Sequence, residues 1–155
     1  MGRRSIMKLR EGERVEVSST EEGFIGSYYE AVIVDVNVSQ SSYMVRYKDL
    51  LKEDGSGALI EPAHHSEIRP LPPTVKLVEY EAGDVVDAFA NDGWWVGVLV
   101  EKRGAFGYVR FDDYNKMVVA YPMKHIRIHV DWEDDEWALT SVRDEHRIKN
   151  VEFHG

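Results

Sequence analysis

No cysteine occurs among the 155 residues, which removes disulfides, thiolate metal sites and cysteine nucleophiles together. That absence fits a reducing compartment, cytosol or nucleus. No apolar run approaches the roughly 20 residues that a membrane-spanning helix needs, so no membrane partner is expected. The opening MGRRSIMKLREGE lacks the apolar stretch of a signal peptide. Basic residues are in short supply, 19 against 28 acidic ones, for a formal charge of −9. Phosphate backbones are gripped by Lys and Arg that displace counterions, so direct nucleic-acid binding is disfavoured. A cationic partner is favoured instead, although acidity for solubility alone would produce the same balance.

Enzyme signatures are equally scarce. The chain has no Gly-x-Ser-x-Gly elbow, no phosphate-binding glycine loop and no zinc-peptidase motif. His64 and His65 are adjacent, and in a strand they would point apart, which is poor for chelation. His125 and His129 have helical metal spacing, but HIRIH alternates like a strand. DWEDDEW, residues 131–137, is acidic without the turn glycine of a calcium loop, and reads as a solvated edge. No enzyme activity, metal or cofactor is expected. Helical periodicity is missing from residues 1–137, and residues 138–155 are compatible with either a short helix or a strand.

What is present is a repeated β pattern. With 43% hydrophobic and 30% charged residues the composition is that of a folded globular protein rather than a disordered one. LREGERVEVSS and YEAGDVVDAF each run from glycine through an acidic residue into alternating apolar positions, Val15 and Val17 or Val86 and Ala88. A Gly-containing acidic turn follows in each copy, TEEGFIGS or ANDG. Then come an aromatic pair, Tyr28-Tyr29 or Trp94-Trp95, and a valine-rich strand. Each copy continues into a strand ending in an aromatic and an acid, YMVRYKD or YVRFDD, and closes on an Ile-Arg strand. Period-two alternation between Gly, Asn, Asp and Ser clusters predicts short antiparallel strands, and their tight spacing predicts small barrels. The expected architecture is all-β: a first barrel at 7–72, a proline-rich linker at 73–78, a second barrel at 79–137 and a C-terminal extension at 138–155. The two barrels are expected to pack in tandem around an acidic groove.

Four Trp, eight Tyr and five Phe are many for so small a chain, and most are expected to fill the cores. In a strand, Trp94 and Trp95 must face opposite ways. The expectation is that Trp94 fills the barrel and that Trp95 stands at its rim with Phe89, Phe111 and Tyr114, beside Asp92, Asp112 and Asp113. Aromatic faces with nearby carboxylates suit a methylated ammonium, which offers few hydrogen-bond donors but is drawn to ring quadrupoles. On this reading Trp95→Ala or Phe111→Ala abolishes ligand binding with the fold intact, and Trp94→Ala costs stability.

The paired motifs GERVEVSSTEEGFIGSYYEAVIVDV with EIRPLPP, and GDVVDAFANDGWWVGVLVEK with YVRFDDYNK and HIRIHVDWEDDEW, resemble tandem Agenet/Tudor-like modules of the Royal family over nearly the whole chain. The resemblance implies a nuclear chromatin reader in which an aromatic cage at Trp95, Phe111 and Tyr114 holds a methylated lysine of the histone H3 tail. Among plant readers of this kind the implied mark is dimethylated lysine nine of heterochromatin. It also implies a longer protein with several Agenet repeats. In the first repeat Tyr29 and Tyr47 align with two cage walls, and Phe24 could supply a third. Tyr28 is either a neighbour of that cage or a packing residue, Asp49, Glu21 and Glu22 could add counter-charge, and Leu50 stands where Tyr114 falls in the second repeat. Alternative readings are an RNA- or protein-binding tandem Tudor module, or a methyl-arginine reader with a narrower slot.

Overall fold

The computed structural model describes residues 9–19, 21 and 23–154, and the chain divides into two compact units between Leu71 and Pro72. Among the described residues there is no α-helix, only single 3-10 turns between strands.

The first unit is a five-stranded meander: β1 (Arg14–Ser18), β2 (Ser27–Asn37), β3 (Ser42–Leu51), β4 (Ala58–His64) and β5 (Ile68–Pro70). Neighbours pair antiparallel in sequence order from β1 to β4. β5 then returns to β1, with Val17 opposite Ile68, and closes the barrel. A 3-10 turn at His65–Glu67 makes the corner before β5, capped by the His64 side chain and by the Glu67 carboxylate on the His64 N–H. Because the chain turns there, the rings of His64 and His65 do not diverge as in a continued strand; their centroids lie 4.3 Å apart. Val15, Val17, Tyr29, Ala31, Ile33, Val45 and Tyr47 fill the interior.

The second unit repeats this plan with β7 (Val85–Ala90), β8 (Gly93–Arg103), β9 (Phe106–Phe111), β10 (Met117–Pro122) and β11 (Ile126–Ile128), preceded by β6 (Thr74–Leu77). β7 to β10 form the meander, and β11 returns to β7. Asn91 and Asp92 both have positive φ, 51° and 65°. They form the two-residue turn whose twist matches that of the strands it joins. Each barrel has a register shift at the same place in its second strand, between Ile33 and Asp35 and between Leu99 and Glu101. The sequence repeat is therefore a structural duplication down to its β-bulges.

The C-terminal stretch belongs to the second unit. After β11 come the hairpin of β12 (Asp131–Glu133) and β13 (Glu136–Ala138), a 3-10 turn at Glu145–Arg147, and β14 (Ile148–Glu152). β14 pairs with β6, so most of the expected linker at 73–78 is strand rather than free connection. Arg147 clamps Asp84 with two bonds of 2.9 and 2.6 Å, a bidentate geometry that fixes orientation as well as charge. Val75, Val130 and Val142 join Val86, Ala88, Leu99, Val109 and Phe111 in the core.

Candidate functional site

Strand parity decides which indole turns inward. Ala88 lies opposite Trp95 and Val86 opposite Gly97; Val86, Ala88, Gly97 and Leu99 are all buried. Trp95 shares their side and packs against the core cluster, as do Tyr114 and Tyr121. The indole that turns inward is therefore Trp95, and Trp94 takes the other side and does not fill the barrel as expected. There its ring meets Phe89 at 5.1 Å and carries the Arg127 guanidinium 4.1 Å above its centroid. Phe89 is consequently not a rim neighbour of Trp95. The first strand's alternate residues 85, 87 and 89 face away from the barrel interior.

At the rim, Trp95 donates its indole N–H to the Ala90 carbonyl at 2.8 Å. This bond pins the ring beside the β7–β8 turn. Tyr114 meets it nearly perpendicular, with centroids 5.7 Å apart and planes at 73°. Both rings are half-buried and together form an aromatic corner. Phe111 lies deeper, only 4% exposed, with Tyr121 edge-on at 6.1 Å. It is core beneath the corner rather than an open wall. Tyr121 was not among the expected site residues; its place opposite Gly107 in β10 brings it to the same side as Phe111. Asp92, Asp112 and Asp113 are exposed. Asp112 accepts from Arg110 at 2.7 Å, and that bond holds its carboxyl below the usual range.

The corresponding residues of the first unit are packed shut. Tyr29 and Tyr47 meet edge to face at 6.4 Å, and both are buried. The Tyr47 hydroxyl donates to Glu61 at 2.7 Å, and burial followed by that bond pushes its ionisation above the ordinary tyrosine range. Leu50 is packed against the core in Tyr114's place. Tyr28 stands on the outer face under Arg69, 3.6 Å from guanidinium to centroid. Phe24 is 45% exposed in the β1–β2 connection, and Glu21 and Asp49 are exposed; Glu22 lies outside the described residues.

An outer-face arrangement that the sequence reading passed over recurs in both barrels. In the second, Asp87 lies opposite Arg127 and accepts from its Nε at 2.9 Å, and Arg127 covers Trp94. In the first, Glu16 lies opposite Arg69 and accepts at 2.7 Å, and Arg69 covers Tyr28. The signal was available: each copy has an acid at the centre of its first strand, an Ile-Arg closing strand and an aromatic doublet. Trp94→Ala is accordingly expected to cost about 1–2 kcal/mol, the scale of a half-buried ring with one cation–π contact. Urea denaturation checks this, and a loss as large as that of a core aromatic would put Trp94 inside the barrel.

Two five-stranded barrels in one chain, built on one repeated plan, define a tandem Tudor-like module. The family model of the Agenet domain matches residues 12–73. The chain is 39% identical over 130 residues to Protein AGENET DOMAIN (AGD)-CONTAINING P1 of Arabidopsis thaliana, covering 83% of this chain and 25% of that protein. Among solved structures it is similar to AGD34 of Arabidopsis thaliana AGDP1, with 36% identity, a TM-score of 0.77, and 83% of this chain and 88% of that one covered. It is also similar to tandem Agenet domain 3-4 of ADCP1, with 32% identity, a TM-score of 0.73, and coverage of 83% and 86%. The chain belongs to the Agenet family, as a tandem Agenet module, a class of binding domain related to chromatin readers. It spans about a quarter of the length of that curated relative.

Proposed function

We propose that this tandem module reads a methylated lysine of the histone H3 tail, with dimethylated lysine nine as the mark. It would do so in the nucleus, on heterochromatin, as one segment of a longer multi-Agenet protein. The carrying observation is the near-perpendicular pair Trp95 and Tyr114, 5.7 Å between centroids, on a unit whose neighbouring turns expose Asp92 and Asp113. A dimethylammonium head seated in that corner touches two ring faces, each contributing roughly 0.5–2 kcal/mol. The chain's charge of −9 attracts the lysines and arginines that flank the modified residue.

Calorimetric titration with H3 peptides, unmodified and dimethylated at lysine nine, tests the reading. The methylated peptide should bind in the micromolar range, about −8 kcal/mol, after the ordering of a short flexible chain has offset much of the contact energy. Trp95→Ala and Tyr114→Ala should each weaken it by about tenfold or more, the scale of one lost cation–π face. Indifference to methylation, or full binding by both variants, would overturn the proposal.

A further inference from the structure

The strand that leaves the aromatic corner has an unguarded edge. β10 reads MVVAYP, six residues without a charge, and among the described residues it pairs with β9 alone. Its register runs from Met117 opposite Phe111 to Pro122 opposite Phe106, without a shift. Met123 donates its N–H to the Ala105 carbonyl at 2.8 Å, and Pro122 has no N–H to give. The odd-numbered residues 119 and 121 therefore bond to β9, Met117 at the strand's start gives its N–H to the Tyr114 carbonyl at 3.1 Å, and Val118 and Ala120 turn their N–H and C=O groups away from β9. Val118 is 50% exposed, and Ala120 is exposed as well. An edge of this kind is a template for another strand unless charge, proline or a bulge blunts it. The equivalent strand of the first unit, ALIEPAH, carries Glu61 and Pro62 in its interior; β10 has no charge, and its one proline, Pro122, is its last residue.

Its position supplies the occupant. Tyr114 lies in the turn that leads into β10, and the exposed Met117 shares the Phe111 side of the sheet. A strand laid along β10 thus starts beside the Trp95–Tyr114 corner. Asp112 and Asp113 are exposed in the same turn, and the uncharged strand holds nothing that repels a basic chain. Lys116 and Lys124 bracket the strand and limit pairing to its own length.

We infer that β10 is the docking edge for the ligand backbone: an extended basic peptide adds to β10 through main-chain hydrogen bonds and so delivers its methylated lysine to the Trp95–Tyr114 corner. This rests on the methyl-lysine reading above and adds a binding mode to it. Main-chain pairing supplies affinity and alternate side chains supply specificity.

The test is calorimetry on the whole chain with the lysine-nine-dimethylated H3 peptide and copies of it N-methylated at one backbone amide at a time. Amides two residues apart should each weaken binding by about tenfold, the order of one hydrogen bond lost without replacement, while those between them are tolerated. Val118→Pro should weaken the parent peptide comparably with an unchanged melting temperature, since proline at an edge position removes only the outward N–H. If the parent peptide binds and needs Trp95 but the N-methyl series shows no alternation, strand addition falls and the methyl-lysine reading stands. If the parent peptide does not bind, both fall. Dimerisation of the free chain that Val118→Pro abolishes would assign the edge to self-association and overturn the inference.

Discussion

Phe111→Ala is expected to lower the unfolding free energy of the second unit by about 3–5 kcal/mol, the cost of emptying a buried aromatic site. The ring is 4% exposed and belongs to the core cluster with Leu99, Val109 and Ile126. It cannot be compensated by collapse of the neighbouring strand. A Cβ placed on Gly97 would already meet Val109 Cγ1 at 2.5 Å and Phe111 Cδ1 at 3.1 Å, so β8 is packed tightly against β9 there and the backbone has little room to move. Small domains have only about 5–15 kcal/mol in total; a loss of this size should shift a urea midpoint far to the left. Binding should disappear along with stability. This separates Phe111 from Tyr114, whose replacement should leave the midpoint near that of the parent chain while weakening peptide. An unchanged midpoint for Phe111→Ala would return that ring to the open rim.

The duplicated barrel was legible in the sequence because its signals are local. Alternating Val15 and Val17, or Val86 and Ala88, bounded by glycine and acid, reports strand and turn within a few residues. The aromatic corner was legible in part, since Trp95 and Tyr114 follow from counting along β8 and past β9. The depth of Phe111 was not, because it depends on the close approach of β8 at Gly97, a contact between strands. Nor could the two indoles be told apart. The side of each first strand that carries Asp87 or Glu16 is packed as well as the side that carries the valines, so neither face is the obvious place for an indole. Both carboxylates are buried, Asp87 completely, and their partners Arg127 and Arg69 lie 40 and 53 residues away. No local pattern reports a pairing of that separation. For the same reason residues 138–155 were indeterminate: β14 forms only because β6, more than 70 residues earlier, offers it an edge.

Buried ion pairs are expensive to make and more expensive to break, so their recurrence on the outer face of both barrels calls for a physical role. Each clamp ties the first strand of a barrel to its last, Asp87 to Arg127 and Glu16 to Arg69, across the seam where the meander closes. Each guanidinium then covers the first aromatic of the doublet, Trp94 or Tyr28. Holding that residue against the outer face fixes the parity of its strand, and therefore the inward direction of its neighbour, Trp95 or Tyr29. A slip of one residue would exchange the two faces. The clamp and the corner are thus two sides of one register.

Asp87→Ala is expected to cost about 3–5 kcal/mol, the scale for removing one partner of a buried charge pair, and the remaining stability should lose a characteristic pH dependence. His129 sits between two carboxylates, Nδ1 at 2.8 Å from Asp87 and Nε2 at 2.9 Å from Asp131. Both oxygens are acceptors, so both ring nitrogens serve as donors only when the imidazole is protonated. Burial opposes that charge, but the bond to Asp87 and the attraction of both carboxylates outweigh it, and the pKa lies above the ordinary 6.5. Asp87 shifts the other way. Burial works against its charge, and His129 and Arg127 more than compensate, so its carboxyl lies below the ordinary 3.8. The signs follow from linkage. The His129 contribution is complete below pH 6.5 and fades as pH rises through the elevated folded value. The Asp87 contribution is complete above pH 3.8 and fades as pH falls through the depressed one. Stability of the second unit should therefore hold between those limits and decline on both sides. Asp131 also accepts from Thr140, and Ser141 donates to the His129 carbonyl. Loss of the imidazolium consequently loosens the segment that carries Trp132 and Trp137, whose rings lie 5.0 Å apart. Urea denaturation followed by tryptophan fluorescence from pH 5 to 9 checks this. The parent chain should lose stability above pH 6.5, and His129→Gln should show a flatter profile there; parallel profiles would place the titrating group elsewhere.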